Sequence, residues 1–328
     1  MDLHRSVGME TPTLRRADIA AVTGVPREQS VRWWRAMGFP EVGDDVVAFS
    51  EVDVDLVQRV AGLVDAGLVD DDDVARLARL LGASCQRIAE AQLELADEIF
   101  ERAANLDPDA AASYRLTVLL DERGTALMML LERSVVYVWK RHMQAALGRH
   151  LDTGLDSVHS TDVLAVGFAD LAGFTKLSKG LTPPELTEVI DGFEAAAFES
   201  AAGTDGRVVK LIGDEVMFVA PTVVGAARIA LDLRDRLAAI PEMPTIHCGI
   251  AVGPTVGVGG DVFGTTVNLA SRLTSVARKG TIVIPRSCVD ELSDAPDLVV
   301  RPTRRSYSLK GIGDTRIAVV DRAPVTDD

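Results

Sequence analysis

Positive charge is what this chain is short of: 34 Lys and Arg stand against 49 Asp and Glu in 328 residues, a net charge of −15. A field of that sign repels phosphate backbones and anionic lipid unless basic residues are locally concentrated, which disfavours nucleic-acid and membrane-surface partners. A polyanionic small substrate then needs divalent cations. Cysteine is scarce as well. Cys85, Cys248 and Cys288 are odd in number, widely spaced and follow no metal-ligand spacing, as expected of thiols in a reducing cytoplasm. Long apolar runs are also missing. No window nears the roughly 18 apolar residues of a membrane helix, and the opening stretch MDLHRSVGMETPTLRR lacks the apolar core of a signal peptide. The most apolar helical stretch, TALMMLLERSVVYVW, carries Glu132 and Arg133 at its centre. A soluble cytoplasmic protein is expected.

With 47% hydrophobic and 25% charged residues, the composition is that of an ordered globular chain. At roughly 100–200 residues per domain, its length predicts two domains. Residues 11–82 read as short helices. RRADIAAVTG closes at Gly24, PREQSVRWWRAMG opens at a proline suited to a first helical turn, and SEVDVDLVQRVAGLVDAG has Ser50 as its N-cap. Trp33 and Trp34 are adjacent and diverge on a helix, so at least one is expected in the core. From 83 to 149 the apolar positions keep helical spacing through Ile88, Leu93, Leu95 and Ile99, then Leu127, Leu131, Val135 and Val138. Such a face calls for a partner, either the first helices or a second chain. GRHLDTGLDSVHSTD, residues 148–162, breaks the periodicity. The boundaries read as a flexible start 1–10, a helical domain 11–149, a linker 150–161, an α+β domain 162–322 and a flexible tail 323–328.

Beyond the linker, strand and helix patterns alternate, and their order predicts a ferredoxin-like mixed sheet with helices on one side. Two stretches carry chemistry. In FADLAGFTKLS, Asp170 ends a strand and LAGFT leads into a helix, so backbone N–H groups near 171–175 are available to phosphate while Asp170 holds a hard cation. In RVVKLIGDEVMFV, Asp214 occupies a hairpin corner that strand pairing can set beside Asp170. Two converging carboxylates are what a pair of Mg²⁺ or Mn²⁺ ions requires for in-line displacement at phosphorus. Each carboxylate alone is equally a turn cap. Asn268 and Arg272, four apart in TTVNLASRL, share a helix face.

Taken in order, FADLAGFTKLS, KLIGDEVMF, DVFGTTVNLASRL and LKGIGDTR resemble the catalytic domain of class III nucleotidyl cyclases across 162–322. The resemblance implies that Asp170, Asp214 and the carbonyl of Leu171 bind two metal ions, with Phe174 and Thr175 at the phosphates. It implies that Lys210 and Asp261 read adenine. Adenine offers an acceptor at N1 and a donor at N6, which suits a lysine with a carboxylate. Asn268 would orient the ribose, Arg272 would stabilise charge on the α-phosphate, and Lys310 would grip the terminal phosphates. The implied activity is adenylate cyclase acting on ATP, with sites at a homodimer interface. The stretch PTVGVGG before Asp261 is shorter than the corresponding arm of many members and has no arginine or aromatic.

A helical module ahead of such a domain resembles actinobacterial cyclases whose N-terminal domain regulates activity, some in response to pH. His142, His150 and His159 crowd the helix end and linker, and histidine titrates near pH ~6.5. A lipid or small ligand in the apolar helical layer is a further expectation. Residues 11–82 also resemble the winged helix-turn-helix of MerR-type regulators, which keeps a DNA-binding or nucleotide-sensing transcription regulator open as the rival. Against DNA binding, that segment holds eight Arg and thirteen Asp plus Glu, a net of −5.

Overall fold

The computed structural model describes residues 7–106, 122–152 and 162–324. The chain divides into two units, Met1–Leu155 and Asp156–Asp328.

In the first unit, β1 (Leu14–Arg15) precedes α1 (Arg16–Thr23), which ends where Gly24 turns left-handed. Next come α2 (Arg27–Ala36), β2 (Val47–Phe49) and α3 (Glu51–Asp65). Helix α3 starts in a capping box, Ser50 N–H donating to Asp53 Oδ2 at 2.7 Å, as the sequence predicts. The long helices α4 (Asp71–Leu106) and α5 (Glu122–Asp152) follow. The unit is helical as expected, with one short ribbon set among its helices. Strands β1 and β2 pair antiparallel and bury Phe49 against Ile19 and Val54. The segment VVAFS is short, β-branched and aromatic, and it forms a ladder where the helical pattern is interrupted. Trp33 is buried and its Nε1–H donates to Asp71 Oδ1 at 2.6 Å, linking α2 to α4. The predicted apolar face stays open: Ile88, Leu93, Leu95, Ile99, Leu127 and Val138 are all exposed.

The second unit runs β3 (Asp162–Leu171), α6 (Phe174–Leu177), α7 (Pro183–Ala202), β4 (Arg207–Ile212), β5 (Glu215–Ala220), α8 (Val223–Ala238), β6 (Ile246–Val258), β7 (Asp261–Phe263) and α9 (Thr265–Val276). It closes with β8 (Ile282–Pro285), β9 (Leu298–Leu309) and β10 (Gly313–Arg322). Helix α7 begins where Thr182 and Glu185 form a capping box with Pro183 at the first position. The eight-stranded sheet has the order β4-β5-β3-β6-β8-β10-β9, with β7 hairpinned onto β6. Among the described residues, β6 with β8 is the one parallel pairing. Strands β3, β4, β5 and β6 with α7 and α8 make the expected ferredoxin-like split βαβ arrangement.

The helices, however, lie on both faces. Phe193 of α7 and Leu231 of α8 pack with Ala165, Ala169 and Phe218 on one side, and Ala270 and Leu273 of α9 pack with Val166, Phe168 and Met217 on the other. Strands covered twice read as continuous apolar runs, which is why VMFVA is buried residue for residue. Helix α9 comes this close because Gly249 has no side chain: a Cβ there would lie 2.2 Å from Thr274 N and 2.6 Å from Ala270 O. Gly249 N–H also donates to Thr274 Oγ1 at 3.1 Å. Gly249→Ala is therefore expected to destabilise the chain by about 2–3 kcal/mol through overpacking, read as a lower denaturant midpoint with an unchanged m-value.

Candidate active site

The site begins with the position of β3 in the sheet. Its antiparallel neighbours place Glu215 of β5 and His247 of β6 directly across from Asp170. Opposed residues of antiparallel strands point to the same face, so Glu215, Asp170 and His247 form one row over three strands. The β4–β5 hairpin turns through Gly213 and Asp214, and Leu171 N–H donates to the Asp214 carbonyl at 3.0 Å. That bond clamps the hairpin corner to the end of β3. The side chains of Asp170 and Asp214 come within hydrogen-bond reach of each other, and His247 Nε2 lies 3.1 Å from Asp170 Oδ2.

Electrostatics follow from this crowding. Burial, then the neighbouring Asp170, raises the Asp214 carboxyl above its ordinary value, with its own backbone N–H and His247 opposing. Glu215 is pushed up to about 7 by burial first and by the charges of Asp170 and Asp214 next. Three carboxylates sharing one end of a sheet repel one another, and a divalent cation is the group that relieves such repulsion. The donor set, Asp170 and Asp214 with the backbone carbonyl of Leu171, suits a hard, oxygen-seeking ion. Among the described residues, no group of three or more His, Cys, Asp or Glu side chains forms a ready-made metal cage. Backbone, substrate and water oxygens would complete the coordination.

The phosphate cradle is narrower than the sequence implies. Leu171 N–H is spent on Asp214, and Ala172 N–H donates to the Thr245 carbonyl at 2.8 Å. The first-turn N–H groups of α6, at Gly173, Phe174 and Thr175, remain. The Phe174 ring packs toward the core, so its contribution is backbone only.

A second constellation lies on β4 and β7. Lys210 Nζ is 2.5 Å from Asp261 Oδ2, although 51 residues separate them in sequence. The short PTVGVGG stretch is what allows this. Gly259 and Gly260 take φ of 61° and 86° in a two-residue turn that pairs Val258 with Asp261. Burial works against the Asp261 charge, but Lys210 and the Val262 N–H at 2.7 Å outweigh it and hold the carboxyl below its ordinary value. The Phe263 ring centroid lies 5.7 Å from Lys210 Nζ.

Asn268 and Arg272 are exposed on α9, while Ala270, Leu273 and Thr274 face the sheet. None of the described contacts joins them to Asp170 or Asp214. Lys310 is exposed in the β9–β10 turn. His142 and His150 are exposed on α5, and His159 lies outside the described residues.

The first unit holds a separate cavity of about 150 Å³ between Ile19, Trp33, Trp34, Phe49 and Leu77. Arg16 lines it at 3% exposure, its Nε and Nη2 without a hydrogen-bond partner and its Cζ 4.8 Å over the Phe49 ring. Sequence reading passed over Arg16, Glu215 and His247. The only available signal was the adjacency of Glu215 to Asp214.

The Glu215 shift sets a pH dependence. Its folded value lies above the ordinary 4.5, so its contribution to stability is intact below about pH 4.5 and is lost as pH rises through about 7. In chelator-treated protein, the melting temperature is expected to fall more between pH 5.5 and 8 for the wild type than for Glu215→Gln. Equal falls would remove Glu215 from the account.

Comparison with known proteins gives the arrangement its context. Residues 157–320 match the family model for the adenylate and guanylate cyclase catalytic domain. The chain is 39% identical over 280 residues to an adenylate cyclase of Streptomyces coelicolor, covering 84% of this chain and 72% of that one. It is 29% identical over 294 residues to a pH-sensitive adenylate cyclase of Mycobacterium tuberculosis, covering 89% and 73%. Among solved structures, the adenylyl cyclase CyaB of P. aeruginosa aligns with a TM-score of 0.40 at 24% identity, over 49% of this chain and 95% of that one. The likeness of residues 11–82 to MerR-type regulators gains no support from these matches. On the family match and the 39% identity over most of its length to an adenylate cyclase, the chain belongs to the class III nucleotidyl cyclases.

Proposed function

We propose that the chain is an adenylate cyclase, converting ATP to 3′,5′-cyclic AMP and pyrophosphate. The observation that carries this reading is the Lys210–Asp261 pair, one cationic donor beside one carboxylate acceptor, in a chain with adenylate cyclases among its relatives. Adenine presents an acceptor at N1 and a donor at N6 to such a pair, and guanine the reverse. The ribose 3′-hydroxyl attacks the α-phosphorus, and the bond to the β-phosphate oxygen breaks in line. Two divalent ions, Mg²⁺ or Mn²⁺, held by Asp170, Asp214 and the Leu171 carbonyl would supply Lewis acidity and charge neutralisation. The residues do the rest. Asn268 orients the ribose, and Arg272 offers a permanent charge to the oxygens that gain negative charge in the transition state. Lys310 and the N–H groups of 173–175 hold the polyphosphate.

We read the working unit as a homodimer with sites at its interface. Asn268 and Arg272 are exposed on α9 and make no described contact with the metal carboxylates, which supports a second chain bringing them to the same substrate. The exposed apolar stripe along α4 and α5 suits such pairing. The first unit would then act as regulator in a cytoplasmic enzyme, with His142, His150 and His159 as the pH-responsive set and the Arg16 cavity open to a lipid or small ligand with an anionic end. No described helix is long and apolar enough to cross a membrane. The DNA-binding rival loses its basis in the side chains. Arg27 pairs with Asp44, Arg32 with Asp71 and Asp72, and Arg35 with Glu41, so the basic set on α2 is neutralised within the chain.

With Mn²⁺ and ATP, the full chain is expected to form cyclic AMP, and its absence would overturn the enzyme reading. Arg272→Ala should lower kcat by about 10²–10³-fold. Asp214→Asn should be similarly inactive. Mixing the two inactive variants should restore about a quarter of wild-type activity, because half the dimers are mixed and carry one intact site of two. No recovery on mixing would place all groups in one chain. Lys210→Glu with Asp261→Cys should erode the preference for ATP over GTP, measured as the ratio of kcat/KM values.

A further inference from the structure

We propose that His247 is a positioning residue for the metal-binding carboxylate Asp170. The inference rests on reading Asp170 as a metal ligand. Asp170 is hemmed in on both sides by sheet register: Glu215 stands opposite it on β5 and His247 opposite it on β6. From the β5 side, the hairpin corner adds Asp214. His247 is thus the one nitrogen-bearing side chain of the four, and its Nε2 sits 3.1 Å from Asp170 Oδ2. The His247 and Asp170 side chains are 20% and 30% exposed, enough shelter to limit their rotamers and enough access for an ion.

A carboxylate among carboxylates has no local reason to keep one orientation. An imidazole nitrogen 3.1 Å from Oδ2 supplies that reason and leaves the other oxygen to a cation. Backbone bonds reinforce the placement on the His247 side. Ala172 N–H donates to the Thr245 carbonyl and Gly280 N–H to the Ile246 carbonyl, so β6 enters the sheet at a fixed height relative to Asp170. Ile246 and Cys248 on either side of His247 are fully buried, which holds the strand in its alternation and turns the imidazole to the site face. Groups that orient metal ligands in this way typically contribute about 10–100-fold to metal affinity.

The test uses the full chain and Mn²⁺ alone, titrated in thermal-shift measurements without nucleotide, followed by the Mn²⁺ dependence of cyclic AMP formation. Asp170→Asn serves as the reference for a lost site. His247→Ala is expected to raise the Mn²⁺ concentration for the half-maximal shift by about 10–100-fold. Its KM for ATP at saturating Mn²⁺ should change little. His247→Gln carries an amide N–H at nearly the reach of Nε2 and should stay near the wild type, whereas His247→Asn, with the shorter reach, should not. Should His247→Ala fold poorly, the Gln and Asn pair still decides, since both carry the same amide. An Mn²⁺ midpoint for His247→Ala equal to the wild type, or equal behaviour of Gln and Asn, overturns the role of His247 while the metal site stands. A wild type indifferent to Mn²⁺, or an Asp170→Asn variant that responds like it, removes the metal-site reading and this inference with it.

Discussion

The backbone pairing of β3 with its two neighbours is the constraint on which the rest of the second unit depends. Asp170 has Glu215 on one flank and His247 on the other because β5 and β6 both run antiparallel to β3 in a single register. A slip of one residue would turn each of these side chains to the opposite face and bury charge against α7 and α8. The register is secured by apolar alternation. Ala165, Ala169 and Leu171 face one helical layer, and Val166 and Phe168 face the other. Either slip would leave both layers mispacked.

Charge is arranged by the same register. Burying Asp214 and Glu215 beside Asp170 costs stability, burial first and the neighbouring charges next raising both carboxyls. A fold tolerates such a cluster when a ligand compensates it, and perturbed carboxylates in a row commonly mark function. The Lys210–Asp261 contact follows the opposite logic. There the two charges compensate each other without a ligand, and a base that enters must exchange one polar contact for another. The first unit uses ion pairs differently again. Its α2 arginines are all engaged by Asp and Glu of the same unit, so they hold α2 to α4 and to the loop before β2 rather than presenting a basic face.

Much of this was legible in the sequence because the signals are local. The caps at Ser50 and Thr182, the Gly24 stop and the strand–turn–strand pattern of RVVKLIGDEVMFV depend on residues within a few positions of one another. The ferredoxin-like order could be read for the same reason. Where reading went astray, the cause was long-range. The two-sided covering of the sheet rests on Gly249 admitting α9, whose contacts lie 21 and 25 residues further along the chain. The continuous apolar runs of β3 and β5 did carry the signal for two covered faces.

By itself, the sequence determined the residue types that chemistry requires and the helix face shared by Asn268 and Arg272, since a four-residue spacing settles that without reference to anything else. It also determined the acidic balance and the family. Only the tertiary structure decided that Lys210 meets Asp261, because that contact needs β4 and the β6–β7 hairpin side by side. It likewise decided that Leu171 and Ala172 have no N–H left for phosphate, and that His247 faces Asp170. Strand alternation tells which face a residue takes but not which residue of another strand lies opposite, and that pairing is fixed only when the strands assemble.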